Sequence, residues 1–389
     1  MAGIVRVAVK SSLLHWACDR SGREESYFVK RFPKFPFWLD GSIRPTYNQL
    51  QQFAAASHAP VGMLFLEEPP IESVPIPDFR TIAGTPPSRP GVNLLETIHL
   101  CQQRQDWYRS YLQETHRPQL TYIGSLELST PVAIAAERIS NILGWTVSSR
   151  RSAPTWMAAL SEGIKKADSA GISVMVNGIV GNNTSRILSP KEFRGFALAD
   201  DLAPIVFING ADTKGAQMFT LVHELAHLWL GRSGLSDSEA MEVPANAIED
   251  WCNRVAAEIL VPLSDINIEL RRGNPISDEM RRLSVYFKVS TLVILRRMRE
   301  VITMSNDHYW DLYRAEEKRL RDIQSEQRDR DGGGGNFYPT ETLRVGRSLA
   351  RALIGSTLGG QTLYRDAFHL LAISKVKTLH ALAQHLENA

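Results

Sequence analysis

Seven prolines fall within the 25 residues 67–91, and they constrain this 389-residue chain more than any other feature. Proline fixes φ and has no backbone donor, so neither a long helix nor a central strand can run through this stretch. We expect residues 67–91 to form an extended linker or a wrapping arm. The chain then divides into a helical N-terminal domain over 1–66 and a larger part beyond the linker.

The composition limits the class of protein. Hydrophobic residues make up 43% of the chain and charged residues 22%, which is typical of a soluble globular protein and excludes a disordered or collagen-like chain. A net charge of +2 is too small to indicate nucleic-acid binding by itself. The N-terminus lacks a signal-peptide pattern, and no apolar run approaches the roughly 20 residues that span a bilayer. Three widely spaced cysteines favour a reducing compartment, so we expect a cytoplasmic protein without a membrane partner: Cys18, Cys101 and Cys252.

The middle of the chain alternates between strand and helix patterns. Residues 171–176 and 204–208 are predicted strands, and residues 192–203 could supply another. Two helices are predicted after them, over 216–231 and 246–261. Helices, then strands, then helices again favour an α+β fold over a doubly wound sheet.

Helical patterns also dominate the end of the chain. A pair of short helices with helix-turn-helix character and a basic face is predicted within a subdomain over 266–331. This pair could recognise a partner, or it could cover the back of the core. Gly332 to Gly335 predict a flexible hinge. The last segment, 332–389, is expected to combine this hinge with a small helical unit.

The segment Phe219–Gly231 contains the pattern His223-Glu224-x-x-His227. Residues four apart on a helix project from one face, so the two imidazoles can share a metal ion. Glu224 is then placed beside the metal, where it can take a proton from metal-bound water. Apolar residues surround the pattern nearly all round, which predicts a buried helix whose polar groups each need a partner. The alternative is that the histidines bond to backbone carbonyls and that Glu224 pairs with an arginine.

A zinc site that is open for catalysis takes three protein ligands and one water. The next predicted helix offers Glu249, Asp250 and Glu258. Glu249 and Glu258 lie half a turn out of phase, so only one of them can face the metal. Spacing alone does not choose between them.

The chain resembles the ImmA/IrrE family of metallopeptidases over about residues 170–265. The resemblance is carried by three elements in order: His223-Glu-x-x-His227, Glu249-x-x-Cys-Asn253 and Leu260-Val-Pro262. The resemblance implies a small zincin-like core within a peptidase domain over 92–265. It also implies that Glu249 is the third zinc ligand, and that Asn253 supports a ligand or packs between helices. In zincins a sheet edge beside the metal helix pairs with an extended substrate, so the strand 204–208 is either that edge or an interior core strand.

Residues 13–54 resemble the XRE-type helix-turn-helix regions that are fused to this family, and the matching part is Phe37-Trp-Leu-Asp-Gly41-Ser-Ile-Arg-Pro45-Thr46-x-x-Gln49-Leu50. Pro33 and Pro36 stand where the recognition helix should be, and prolines three apart disfavour a regular helix. We therefore expect a degenerate domain that binds protein or packs on the peptidase. Phosphate contacts to DNA would have to come from a short basic stretch: Lys30, Arg31 and Lys34.

Together these observations predict a zinc-dependent endopeptidase with ligands His223, His227 and Glu249. Glu224 acts as general base and then as general acid. The resemblance implies that the substrate is one specific protein, a repressor or an antitoxin-like partner, whose cleavage regulates transcription in a stress, mobile-element or phage-defence response. Such a hydrolase would be toxic without restraint, so latency fits this hypothesis. The alternative is a DNA-binding regulator or antitoxin in which the zinc domain is a non-catalytic docking module.

Overall fold

The computed structural model describes residues 5–78, 90–236, 246–330 and 337–387. The chain forms two compact units, one of Met1–Pro75 with Ser88–Glu96 and the other of Ile76–Pro87 with Thr97–Ala389. The predicted hinge at Gly332 to Gly335 and part of the proline-rich segment lie outside the described residues. The five-part division made from the sequence stays a prediction.

The first unit is helical. Its elements are α1 (Ser11–Ser21), α2 (Glu25–Arg31), α3 (Phe35–Leu39), α4 (Tyr47–Ser57) and a 3-10 helix (Val61–Phe65). Its core is rich in aromatic rings, such as Phe35 and Phe53, which stack with centroids 5.2 Å apart. A capping box begins α4, because the Gln49 N–H donates to Thr46 Oγ1 and the Thr46 N–H donates to Gln49 Oε1.

The chain between α2 and α3 bears on the helix-turn-helix prediction. Helix α2 ends at Arg31 and α3 begins at Phe35, so the chain is interrupted at Pro33, whereas Pro36 lies in the first turn of α3. Helix α3 has only five residues. The likeness to an XRE-type domain stays a prediction.

The second unit has an α+β fold, which confirms the predicted class. Its strands are β1 (Ser173–Asn177), β2 (Ile179–Val180), β3 (Asn183–Ile187), β4 (Gly195–Leu198), β5 (Ile205–Asn209) and β6 (Gly234–Ser236). Four of them form a sheet in the order β1-β5-β4-β6, and β2 and β3 form a separate hairpin. Strand β5 pairs in parallel with β1 and antiparallel with β4. It is therefore an interior core strand, and the alternative that it offers a free edge to substrate is wrong.

Helices surround this sheet. Helix α5 (Val92–Glu114) begins in the first unit and ends in the second. The helices that follow are α6 (Val132–Leu143), α7 (Val147–Ser152), α8 (Trp156–Ser169), α9 (Lys214–Trp229), α10 (Ala247–Leu260), α11 (Leu263–Glu269), α12 (Ile276–Phe287), α13 (Thr291–Val301) and α14 (Asn306–Arg330). The last four are α15 (Phe337–Val345), α16 (Arg347–Leu358), α17 (Tyr364–Leu371) and α18 (Val376–Glu387). Within the described parts of the chain, none of these helices combines the length and the apolar character needed to cross a membrane.

Two of these helices form the centre of the core. Helix α9 packs against α10 and against strands β4 and β5, and its side chains are buried from Gln217 to Trp229. Each helix begins at a polar cap: Thr213 Oγ1 accepts from the Ala216 N–H, and Asn246 Oδ1 accepts from the Ile248 N–H. The helices that the sequence predicts at 216–231 and 246–261 are thus present.

The C-terminal helices pack along the edge strand β1, mainly through α15 and α16. A buried arginine of α5 strengthens this packing, since Arg104 donates to the carbonyl oxygens of Leu370 and Arg344 at 2.8 and 3.1 Å. The C-terminal segment is therefore part of the second unit.

Candidate metal centre

The histidines of α9 and the first turn of α10 meet in the interior. The Nε2 atoms of His223 and His227 lie 3.0 Å apart. The Glu249 carboxylate reaches both of them, at 3.1 Å from His223 Nε2 and 3.0 Å from His227 Nε2. All three residues are buried, and their ligand atoms lie within 4.8 Å of one another. The structure therefore brings together the three residues that the sequence and its family resemblance predict as ligands, in a group that could hold a metal ion.

The electrostatics of this group suit a divalent cation. Burial acts to raise the pKa of Glu249, but the two imidazoles outweigh it and hold this pKa at about 2. Burial also lowers the pKa of His227. Neutral imidazoles and an ionised carboxylate are the protonation states in which these groups bind metal. Two imidazole nitrogens and one carboxylate oxygen form a ligand set that zinc accepts.

Glu224 lies beside this group and does not belong to it. Its side chain is fully buried, and neither carboxylate oxygen has a hydrogen-bond partner among the described residues. Burial and the negative charge of Glu249 raise the pKa of Glu224 well above its usual value. A buried acid with a raised pKa next to a possible metal site is suited to accepting and releasing a proton.

A glycine of β4 makes room for Glu224. A Cβ atom added at Gly195 would lie 3.0 Å from Glu224 Oε1 and 2.5 Å from Thr220 Cγ2. Only a residue without a side chain lets the strand approach α9 this closely. No role is predicted for Gly195 from the sequence, although an isolated glycine in a strand is a known sign of close backbone approach.

The structure also resolves the choice between the two acids of α10. Glu249 lies in the first turn of the helix and faces the histidines, whereas Glu258 lies near its end and pairs with Arg297. Asn253, one turn after Glu249, is buried, and its Oδ1 has no hydrogen-bond partner in the described segments.

Strand β6 was not predicted, and it brings the sheet edge to the metal group. It pairs antiparallel with β4 and forms one edge of the four-stranded sheet. Its last residue, Ser236, has its Oγ 3.4 Å from His227 Nε2. On its other side, the Leu235 N–H donates to the Pro77 carbonyl oxygen at 2.9 Å. Residues of the proline-rich segment therefore occupy the outer side of the strand nearest the histidines.

Comparison with known protein families agrees with this geometry. Residues 167–299 match the family model of peptidase M78, which is described as an IrrE N-terminal-like domain. This match supports an ImmA/IrrE-type family for this part of the chain. It includes the whole four-stranded sheet, α9, α10 and the helices through most of α13, so the core is zincin-like. Residues 345–385 match a domain of unknown function, DUF8813. No curated protein and no solved structure matches the chain.

Proposed function

We propose that this protein is a zinc-dependent endopeptidase in which His223, His227 and Glu249 bind the metal and Glu224 is the catalytic residue. The observation that carries the proposal is the buried convergence of two imidazoles and one carboxylate, with a second carboxylate beside them. The peptidase M78 match over the same residues supports it. When bound, zinc would polarise the scissile carbonyl and lower the pKa of a water molecule.

Glu224 has the properties that proton transfer requires. Its raised pKa means that the carboxylate, once ionised beside a cation, takes up a proton readily and can pass it to the leaving amine. The ligands position the metal, and Glu224 moves the proton.

We further propose that the substrate is one specific protein, a repressor or an antitoxin-like partner. Its cleavage would regulate transcription in a stress, mobile-element or phage-defence response. The resemblance of the core to ImmA/IrrE peptidases supports this class of substrate. An extended segment of the substrate would replace the residues of the proline-rich segment at the outer edge of β6, which runs beside the histidines. The N-terminal unit would bind protein rather than DNA, since its five-residue α3 is too short to lie along a major groove as a recognition helix.

The cytoplasm is the proposed compartment. The three cysteines are buried and form no disulfide, as expected in a reducing environment.

The test is co-expression of the full chain with the product of a neighbouring gene, followed by mass spectrometry of any fragment. Wild type should yield a zinc-dependent fragment. Glu224→Gln should keep its zinc and yield none, because only the proton carrier is lost. Asp250→Asn is the matched control, since Asp250 is next to Glu249 but its side chain is 44% exposed. If Glu224→Gln preserves the biological effect, the zinc domain is a docking module and the protein is a regulator without protease activity.

A further inference from the structure

A cavity lies beside β1, enclosed by α8, the first turn of α9 and the start of the C-terminal helices. Its volume is about 270 Å³. This is slightly smaller than the roughly 300–1,000 Å³ of pockets for drug-sized ligands, so it suits a small molecule. The cavity includes Lys214, nine residues before His223 on α9, and a rise of about 1.5 Å per residue places it more than 10 Å from the metal group.

The floor of this cavity is apolar. Leu160 and Ile164 of α8 line it together with Val174 of β1. Leu160 and Val174 are 4% and 2% exposed, so they belong to the packed core beneath the cavity. A hydrocarbon or aromatic body placed on this floor would leave water, which is favourable in proportion to the apolar surface that it buries.

The rim of the cavity is basic. Lys165, Lys214 and Arg347 all line it, and none of the three forms an ion pair with another described residue. Like charges that share one cavity repel each other, and the repulsion is relieved when an anion binds between them. Three cations from three different helices therefore favour an anionic ligand.

One acid, Asp168, also lines the cavity, but its carboxylate is hydrogen-bonded to α16. The Asp168 carboxylate accepts hydrogen bonds from the Ser348 N–H at 3.2 Å and from the Ser348 hydroxyl at 2.8 Å. It holds the first turn of α16 and does not reach across to the lysines as an ion-pair partner. Three cations against one carboxylate leave the lining with two positive charges in excess.

Lys214 is held in position before any ligand binds. Its Nζ donates to Gln217 Oε1 at 3.1 Å. The amide of Gln217 is itself fixed, because it donates to the carbonyl oxygens of Gly210 and Asp212 at 3.1 and 2.6 Å. A preorganised cation loses little side-chain entropy on binding, which favours affinity.

We propose that this cavity binds a small amphiphilic anion, with its acidic head among Lys165, Lys214 and Arg347 and its apolar body on Leu160, Ile164 and Val174. The site is separate from the metal centre and does not depend on peptidase activity. A single-headed acid with a short aliphatic or aromatic body matches both the charge and the volume.

The test is calorimetric titration of the full chain with octanoate, octan-1-ol and octylammonium, which share a chain length and differ in head charge. Octanoate should bind, and the neutral and cationic compounds should bind at least about tenfold more weakly, a difference of about 1.4 kcal/mol. Lys214→Glu and Arg347→Glu should each weaken octanoate binding by at least tenfold. Lys166→Glu is the matched control, since it makes the same charge change on α8 but its Nζ lies near Gly144, outside the cavity.

Each contrary result would overturn the proposal. Equal binding of octanoate and octan-1-ol would mean that the cavity binds only the apolar body and does not recognise an anion. An equal loss in Lys166→Glu and Lys214→Glu would mean that octanoate responds only to overall charge. An absence of octanoate binding to wild type would mean that the cavity is no ligand site. Titrations with chelated and zinc-loaded protein separate these results from any failure of the peptidase proposal, because the expected binding is the same in both.

Discussion

Helix α10 carries a glutamate near each end, and the two glutamates have different surroundings. At the C-terminal end, Glu258 pairs with Arg297, whose Nε donates to the Val261 carbonyl oxygen at 2.8 Å and whose Nη1 donates to Glu300 at 3.0 Å. At the N-terminal end, Glu249 meets two imidazoles. A second acid, Glu224, lies close by, and its oxygens have no hydrogen-bond partner in the part of the chain described.

The comparison shows how to tell a structural ion cluster from a binding site. A buried charge is tolerated when the protein supplies its counter-charge and hydrogen bonds, as Arg297 does for Glu258. The group at Glu249 contains two carboxylates and two imidazoles, yet no arginine or lysine pairs with either acid among the described residues. A bound cation would balance the charge of this group.

The largest loss of zinc affinity is expected when Glu249 is replaced by glutamine, with the same replacement of Glu258 as the matched control. Glu249→Gln should lower zinc affinity by more than about 100-fold, because loss of a direct ligand exceeds the 10–100-fold cost typical of changes around the ligands. Glu258→Gln should bind zinc like wild type. Zinc content after dialysis against a competing chelator measures both. Equal zinc loss in the two variants would show that Glu249 is not a metal ligand.

Metal removal should destabilise only the protein that can bind metal. A metal that binds the folded state at a thousand times its Kd adds about 4 kcal/mol to the free energy of unfolding. Chelation should therefore lower the Tm of wild type by several degrees, as measured by calorimetry. Chelation should lower the Tm of Glu249→Gln by much less, because the weaker site is less occupied, and a matching decrease in this variant would place the metal elsewhere.

Breaking the structural cluster should cost stability without affecting the metal. Arg297→Met leaves Glu258 and the Val261 carbonyl without their donor. Removal of one partner of a fully buried ion pair costs about 3–5 kcal/mol, and the partial exposure of Glu258 lowers the expected loss to about 1–3 kcal/mol. Denaturant unfolding of the metal-free protein measures this loss. The double variant Arg297→Met with Glu258→Met should recover most of it, and no recovery would show that the pair does not act as a unit.

The smallest expected effect is a gain in stability. The raised pKa of Glu224 means that the folded state favours the protonated form, so ionisation of this group opposes folding at neutral pH. Glu224→Gln should therefore stabilise the metal-free protein by about 1–3 kcal/mol at pH 7. The gain should shrink as pH falls toward 4, where wild-type Glu224 is protonated in both states. A gain that stays constant between pH 4 and pH 7 would contradict this origin.

The sequence predicts those parts of the molecule that depend on local pattern. The helix of His223 and His227 is identified by spacing and by its apolar surroundings, and the α+β class follows from the order of elements. Spacing left Glu249 and Glu258 as alternatives, and the family resemblance selected Glu249. In the structure the reason is visible, because Arg297, which is 39 residues from Glu258 in the chain, already pairs with that acid.

The features that the sequence did not predict depend on contacts between distant segments. Strand β6 has three residues, too few for an alternating pattern, and the hairpin strand β3 is polar and mostly exposed. Whether β5 lies at an edge depends on which strands pair with it, and hydrophobic periodicity carries no information on partners. The role of Gly195 likewise depends on its distance from a helix that begins 19 residues later.

The hydrogen bond from the Leu235 N–H to the Pro77 carbonyl limits which substrates can pair with β6. A substrate strand that pairs with β6 must compete with the segment that contains Pro77, which is part of the same chain. Because it is covalently attached, this segment has a high effective concentration, in the millimolar range for a short flexible tether. A short peptide can bind only through this strand pairing and would not displace the attached segment. A large folded substrate that makes additional contacts elsewhere on the surface can displace it, so this arrangement would select substrates by size before cleavage.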